Sequence, residues 1–253
     1  MKIGTVVSST TQLASTSNTL VVVPAFNEES SLAAVITEIR SCGYQVLVIN
    51  DGSTDATIDV ARSSGARILD LPINLGVGGA LRAGFKYACE RNFHAVVQVD
   101  ADGQHPADEI VHLLDEANGT GAHLVIGSRF LSDGTSMQVG KVRRFVMRLL
   151  ARSATNATQS SITDATSGFR IIQQPLLTEF SRTFAVNYLG DTYEALIAAG
   201  RAGYMVREIP AALRPRQNGE STASLVQAIT FTLKGLAVTA LHIHPRIRSL
   251  SKL

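Results

Sequence analysis

VVQVDADGQHP, residues Val96 to Pro106, joins a largely apolar, β-branched run to Asp100, Asp102, Gln104 and His105. The run reads as a buried strand, and the polar residues after it read as the carboxyl edge of a parallel sheet. Such an edge delivers side chains to the crevice where open α/β sheets bind ligands. Residues i and i+2 of an extended chain share a face, so Asp100 and Asp102 are expected to point the same way. With Gly103 letting the backbone turn, the Gln104 carbonyl can join them. Two carboxylates and an amide oxygen make a hard donor set of the kind Mg²⁺ and Mn²⁺ take, usually together with substrate phosphates and water. The competing reading is a pair of solvated aspartates in a turn ahead of a helix starting near Pro106, because short acidic motifs recur by chance.

The flanking sequence supplies the context. TLVVVPAFNEES opens with a strand that Pro24 is expected to stop, and the helix behind it carries Leu32, Val35, Ile36 and Ile39 at helical spacing. YQVLVINDGSTD is a second strand, with Ser53, Thr54 and Asp55 as candidate caps for a helix through Val60. ARILDLP is a third, and INLGVGGALRAGFKYACERN supplies a glycine loop and a helix. Beyond the central stretch, AHLVIGSRF makes a strand closing on Gly127, Ser128 and Arg129, and YMVREIPAAL makes a late one. Continuous apolar strands alternating with helices specify an α/β protein with a mostly parallel, Rossmann-like sheet flanked by helices. A dinucleotide fingerprint does not account for Gly76, Gly78, Gly79 and Gly84, since the third glycine of G-x-G-x-x-G would fall at Leu81. A tight turn with close helix packing does, as do backbone amides at a helix start near a polar ligand.

Composition sets the outer bounds. The chain has 253 residues, 45% hydrophobic and 17% charged, which fits a globular protein of one domain or at most two. A formal net charge of +2 is too mild to point to nucleic acid. Cys42 and Cys89 lack metal-ligand spacing and read as free core thiols in a reducing compartment. Residues 1–18 are rich in Ser and Thr, lack the apolar centre of a signal peptide, and read as a mobile leader. The main domain spans 19–222, leaving 223–253 as a C-terminal amphipathic helix and basic tail. The uninterrupted apolar pieces between Leu225 and Ile243 are shorter than the roughly 20 residues that span a bilayer. That segment is expected to rest on a membrane or a partner, or to pack on the domain. His242, His244 and the basic end PRIRSLSKL suit a surface facing anionic lipid.

Taken together, VVVPAFNEE, INDGSTD, NLGVGGALRAG, VDADGQHP, IGSRF and DATSGFRII resemble the family-2 glycosyltransferases, and most nearly the dolichol-phosphate mannosyltransferase and polyprenyl-phosphate glycosyltransferase group. The resemblance runs from about Thr19 to Thr222. It implies the GT-A fold, a nucleotide-sugar donor and a metal, Mg²⁺ or Mn²⁺, on the Asp-x-Asp segment. By position it puts Pro24, Phe26, Glu28, Ile49 and Asp51 around the nucleotide, with the Asp51 carboxylate accepting a hydrogen bond from a base N–H. It puts Asp100, Ala101 and Asp102 on the ribose and diphosphate side, and makes Asp100, Asp102 and Gln104 the metal ligands, Asp102 and Gln104 foremost. Arg129 matches the arginine of a Gly-Ser-Arg motif and, with Arg143, is implied to be a catalytic cation that holds the acceptor phosphate. Arg143 and Arg144 fall where such enzymes meet the acceptor phosphate, and Asp164, Ser167, Gly168, Phe169 and Arg170 match a loop behind the acceptor site, although a structural role fits Phe169 and Arg170 equally well. RPRQNGESTAS is similar to a segment that closes over the donor diphosphate: Arg216, Gly219 and Ser221 fit it, but Thr222 stands where the family has lysine. Arg214 is the candidate substitute for that missing cation.

The chemistry is consistent with these roles. A nucleotide-sugar donor leaves a diphosphate whose growing charge must be neutralised, and an anionic lipid phosphate needs positioning more than a general base. Arginine suits phosphate because its planar fork donates two hydrogen bonds at once. KVRRFVMRLLARSAT reads as a helix with Lys141, Arg144, Arg148 and Arg152 in a basic stripe, fit for an anionic membrane surface or for a solvated face. The expected activity is therefore inverting, metal-dependent transfer of a hexose from GDP-mannose or UDP-glucose to a polyprenyl phosphate at the cytoplasmic membrane face, with stable anchoring supplied by a separate membrane protein. Two alternatives remain open: transfer to a sugar hydroxyl, with Asp191 as base, and a non-catalytic nucleotide-sugar-binding scaffold. Asp191 and Glu194 otherwise read as exposed acids in the first turn of a helix.

Overall fold

In the computed structural model, which describes residues 13–131, 141–184, 191–214 and 247–252, the first strand is buried on both faces. Leu20 and Val22 enter one apolar layer and Val21 and Val23 the other, which is why the run is continuously apolar rather than alternating. The strands are β1 (Thr19–Ala25), β2 (Gln45–Asn50), β3 (Arg67–Asp70), β4 (Ala95–Gln98), β5 (Leu124–Ser128), β6 (Arg170–Gln173) and β7 (Val206–Pro210). The helices are α1 (Leu32–Ser41), α2 (Thr57–Ser63), α3 (Gly76–Glu90), α4 (Ile110–Thr120), α5 (Lys141–Thr158), α6 (Leu176–Thr183) and α7 (Asp191–Arg201). One seven-stranded sheet has the order β3-β2-β1-β4-β6-β5-β7. Its pairs are parallel except at β6, which runs antiparallel to both β4 and β5. Residues from α1, α2 and α4 share one core layer, and residues from α3, α5, α6 and α7 the other.

Several local expectations change. β1 does not stop at Pro24 but continues to Ala25. The Ala25 carbonyl accepts from Asp51 N on the β2 side and the Val22 carbonyl from Val99 N on the β4 side, so Pro24 faces β4. β4 ends opposite Val22, and the N–H that proline lacks has no ladder partner to lose there. The expected glycine loop is the first turn of α3, which begins at Gly76. Gly84 lets α3 lie close against the sheet: a Cβ there would sit 2.8 Å from Val22 Cγ1 and 2.9 Å from Ile49 Cδ1. Of the three candidate caps of α2, Asp55 accepts from Thr57 N at 3.0 Å, while Ser53 and Thr54 bond the loop after β1 instead. Cys42 and Cys89 are free thiols, half-buried rather than deep in the core.

Residues 247–252 return to the domain. Leu250 N donates to the Ala202 carbonyl at 3.0 Å, Arg248 N donates to Glu179 Oε2 at 2.9 Å, and Ile247 and Leu250 pack on the α3–α6–α7 layer. His242 and His244 lie outside the described residues, as do residues 1–12. Three aromatic rings anchor this layer: Phe85 meets Phe184 edge-on at 5.1 Å, and Phe180 meets Phe184 at 5.2 Å. Phe85→Ala empties a fully buried site and is expected to destabilise the fold by about 3–5 kcal/mol. The urea midpoint should fall at unchanged slope.

Candidate functional site

The topology collects the candidate residues on one edge of the sheet. β1, β2, β4, β5 and β7 all run the same way, so the residues that follow each of them emerge together. β6 is reversed, so Ser167, Gly168 and Phe169, which precede it, arrive at that same edge.

The loops after β1 and β2 are laced together. Asn27, at φ 56°, donates its N–H to Ser53 Oγ (3.0 Å) and accepts at Oδ1 from Thr54 N (2.9 Å). Glu28 N donates to Thr57 Oγ1 at 2.9 Å, and Ala56 N donates to Glu29 Oε2 at 2.8 Å. Glu28 also holds Ser31 Oγ through Oε2 at 2.8 Å. Phe26 stands 47% exposed on this wall, above half-buried Pro24. Asp51 is buried, and its Oδ1 accepts from Leu75 N at 2.7 Å. That oxygen fastens the loop before α3 and is not idle for a base. Gly52 makes the approach feasible: its φ is +73°, and a Cβ would lie 2.8 Å from Asn74 N. Ile49 does not line the edge with its side chain, which is fully buried beneath it against Gly84.

The acidic stretch is a turn rather than an extended strand. β4 ends at Gln98, and Ala101 and Asp102 lie in a turn, so sharing a face along an extended chain does not govern the two carboxylates. Three local contacts shape the turn. Gly103 has φ 76°, Gln104 N donates to Asp102 Oδ1 at 3.1 Å, and Asp100 N donates to His105 Nδ1 at 3.0 Å. Asp100 is left 40% exposed at its side chain, whereas Asp102 and Ala101 are buried.

His105 had no role from sequence, yet it is the internal anchor of this turn. Its ring is buried and stacks on Phe169 at 5.1 Å, with Nε2 facing Asp100 Oδ2 at 3.8 Å. Because Nδ1 accepts from a backbone N–H, a neutral ring carries its proton on Nε2, toward the carboxylate. Burial holds its pKa below the ordinary value against the opposing pull of Asp100 and Asp102.

Arg129 does not present its fork to the crevice. Its Nε donates to Asp164 Oδ2 at 2.7 Å and its Nη2 to Asp164 Oδ1 at 2.9 Å. Asp164 is fully buried, and burial, which lowers the Arg129 pKa, is outweighed by that carboxylate. Behind it, Glu208 accepts from Asp164 N at 2.6 Å and from Thr163 N at 2.7 Å, while burial raises the Glu208 pKa. Arg129 thus contributes a fixed positive charge that interacts with Asp100. Arg170 is structural: fully buried, it donates to the carbonyls of Ser167 and Thr192. Glu194 is buried too, contrary to the exposed first-turn acid expected of it. Arg214 also differs from expectation, since its guanidinium closes on Glu38 (2.8 and 2.9 Å) rather than pointing to a phosphate. Arg216, Gly219, Ser221 and Thr222 lie outside the described residues, as do the side chains of Arg143, Arg144 and Asp191.

Among the described residues, no three His, Cys, Asp or Glu side chains are grouped as a metal cage. The side chains on the turn that carry oxygen donors are Asp100, Asp102 and Gln104. That set fits Mg²⁺ or Mn²⁺, which take one or two carboxylates and draw the rest of their shell from substrate phosphates and water. On α5, Leu150 and Ala154 are buried, whereas Phe145, Arg148, Leu149 and Arg152 are exposed along one stripe. Among the described residues no helix is long and apolar enough to cross a membrane.

Comparison with known proteins agrees with this geometry. The sequence profile of Glycosyl transferase family 2 matches residues 20–180. The polyprenol monophosphomannose synthase of Mycolicibacterium smegmatis is 31% identical over 225 residues, 83% of this chain and 82% of that protein. The undecaprenyl-phosphate mannosyltransferase of Micrococcus luteus is 28% identical over 214 residues, 81% of this chain and 87% of that one. Among solved structures, glucosyl-3-phosphoglycerate synthase from Mycobacterium tuberculosis in complex with Mn²⁺, UDP and phosphoglyceric acid superposes with a TM-score of 0.67 at 25% identity, covering 88% of this chain and 77% of that one. The same enzyme with Mn²⁺ and UDP-glucose gives 0.63 at 26% identity, covering 88% and 78%.

Gly168 lies against the acidic turn, where an added Cβ would sit 2.8 Å from Asp100 Oδ2 and 3.0 Å from Oδ1. The carboxylate is a movable end, so Gly168→Ala is expected to leave the melting temperature within a few degrees while weakening Mn²⁺ binding about tenfold. Calorimetric titration of the variant with Mn²⁺ measures the second effect.

Proposed function

The chain belongs to glycosyl transferase family 2, is a glycosyltransferase and has the GT-A fold, and from that premise we propose that it moves a hexose from GDP-mannose or UDP-glucose to a polyprenyl phosphate with inversion at the anomeric carbon. The observation that carries this reading is the oxygen-rich turn at Asp100, Asp102 and Gln104, set beside the fixed Arg129–Asp164 pair on the sheet edge. The relatives named for polyprenol and undecaprenyl phosphate support the acceptor class, and the solved neighbours holding Mn²⁺ with UDP or UDP-glucose support the donor class.

The donor nucleotide lies along the wall of Pro24, Phe26, Glu28 and Asp51, with Ile49 packed below. Its diphosphate reaches toward Asp100, Ala101 and Asp102, and Arg216 is the cation assigned to its far side. Asp100, Asp102 and Gln104 would hold the divalent cation. When bound, that ion supplies positive charge to the leaving diphosphate. Arg129, held by Asp164, adds a fixed dipole rather than a net charge on the same side, and it needs no reorganisation as charge develops.

In the displacement, an oxygen of the acceptor phosphate attacks the anomeric carbon from the face opposite the diphosphate. The new C–O bond forms as the sugar–diphosphate bond breaks, and the electron pair leaves with the nucleoside diphosphate. The attacking oxygen is already anionic, so no proton has to be removed. Arg143 and Arg144, in the first turn of α5, are assigned to the acceptor phosphate. The exposed stripe of Phe145, Arg148, Leu149 and Arg152 gives this helix the amphipathic, basic character that suits the surface of an anionic bilayer. We assign the enzyme to the cytoplasmic membrane face.

Transfer to a hydroxyl is the second reading, favoured by the solved neighbour that carries phosphoglyceric acid. It requires a general base, with Asp191 the candidate, and it does not require Arg143. Calorimetry with GDP-mannose and UDP-glucose, each with Mn²⁺ and again with EDTA, should show metal-dependent binding of one donor. Asp102→Asn should lower turnover on the order of a hundredfold. Arg143→Ala should abolish transfer to prenyl phosphate while donor binding stays within twofold of wild type, by analogy with the loss of other phosphate-orienting contacts. Unimpaired lipid transfer by that variant would reject the acceptor assignment, and absence of donor binding by folded protein would reject the donor assignment.

A further inference from the structure

Gln104 is tied to a residue 110 positions away in sequence. Arg214 N donates to the Gln104 carbonyl at 2.9 Å, and Gln104 Nε2 donates to the Arg214 carbonyl at 3.5 Å. Arg214 is in turn held by Glu38 on α1: Nη1 donates to Oε2 at 2.8 Å and Nη2 to Oε1 at 2.9 Å. Glu38 Oε1 also accepts from Ala107 N at 3.1 Å, on the far side of the acidic turn. Glu38 therefore grips the turn at two places, directly at Ala107 and through Arg214 at Gln104. The remaining link is internal, since Gln104 N donates to Asp102 Oδ1.

This arrangement bears on which end of the Gln104 amide serves a cation. A carboxamide has one acceptor end and one donor end. A neighbouring carbonyl draws the NH₂ end, so the Arg214 carbonyl takes Nε2 and leaves Oε1 as the ligand atom. Without Arg214 at its post, the amide can turn either way, and the NH₂ end is repelled by a metal ion.

We infer that Glu38 is a positioning residue: through its bidentate hold on Arg214 it orients the Gln104 amide so that Oε1 meets the divalent cation. The inference rests on the reading of Gln104 as a cation ligand. It also reassigns Arg214, whose fork serves Glu38 rather than the donor diphosphate. The pair is partly exposed, with side chains 33% accessible at Glu38 and 41% at Arg214, so the effect is a modest factor and not a switch.

The test is a mutant cycle on the full-length protein read by Mn²⁺ binding, with electron paramagnetic resonance reporting the unbound ion, in the presence of whichever of UDP or GDP the wild type binds. Gln104→Ala alone tests the parent reading: Mn²⁺ affinity unchanged by it removes Gln104 from the site and the inference with it. Given a loss there, Glu38→Gln and Glu38→Ala are each expected to weaken Mn²⁺ about three- to tenfold, and Arg214→Lys, which keeps the charge but loses the fork, by a smaller factor. The decisive arm is Glu38→Ala in the Gln104→Ala background, where a clearly smaller loss than in the wild type is expected, because the amide it orients is gone and only its bond to Ala107 N is left to lose. An equal loss in both backgrounds, or wild-type Mn²⁺ affinity in both Glu38 variants, overturns the inference. Thermal melting of each variant registers general loosening, which would lower Mn²⁺ affinity in either background and so count against the positioning role.

Discussion

Backbone polar groups buried on both faces of a sheet have to be satisfied within the sheet, and that constraint confines the chemistry of this protein to an edge. β1 is fully enclosed by apolar layers, with β2 and β4 completing its ladders. Nothing charged sits along its length. Polar side chains accumulate where the strands end, and because six strands end on the same side, their loops meet there. The reversed β6 completes the arrangement by bringing Gly168 against Asp100. A parallel strand in that slot would have sent the Ser167–Phe169 turn to the opposite edge.

The charges at this edge are organised in two ways. Asp164 is fully buried, where an unpaired carboxylate is costly, and Arg129 together with two backbone N–H groups held by Glu208 fix its surroundings. Such a pair is rigid because breaking it exposes a charge to low dielectric. Glu38 and Arg214 lie nearer solvent, so the same bidentate geometry is worth less there. The Arg214 fork holds the Glu38 carboxyl below the usual carboxylate range, with the Ala107 N–H in support. One pair builds the wall of the site, and the other trims the orientation of a single amide.

The central strands β1, β2, β4 and β5 were legible in the sequence because burial on both faces leaves little room for polar interruption, and the sheet edge followed from where those runs stop. The motif residues were legible as a set through the family resemblance, and Asp51, Asp100, Asp102 and Arg129 also because each closely follows an apolar run. What each side chain touches was not. Pairs such as Glu38 with Arg214, 176 positions apart, leave no local signal. Neither does the burial of Glu194, which depends on how α7 seats, nor the diversion of Asp51 to Leu75 N. His105 was visible beside the acidic pair, but its role depends on a turn that an extended reading of Asp100–Asp102 does not contain. The glycines of α3 misled because a glycine in a helix interior is disfavoured by about 1 kcal/mol relative to alanine. Their purpose at Gly84 is contact with Val22 and Ile49, a feature of packing rather than of local propensity.

On the proposed reading, α5 has to let the enzyme meet a lipid acceptor without burying itself in the bilayer. Its exposed stripe offers two large apolar side chains, Phe145 and Leu149, and two arginines, Arg148 and Arg152. Full burial of such apolar groups is worth about 1.5–3 kcal/mol each, and a basic residue near an anionic surface adds about 1 kcal/mol. Even with every contribution made, the sum lies in the range of reversible adsorption and falls well below insertion of a spanning helix. Weak adsorption has a consequence for catalysis: the donor is water-soluble and the acceptor is not, so residence at the surface limits encounter with the lipid only. A separate anchoring protein would raise the local concentration of enzyme at the membrane without adding any contact to the site.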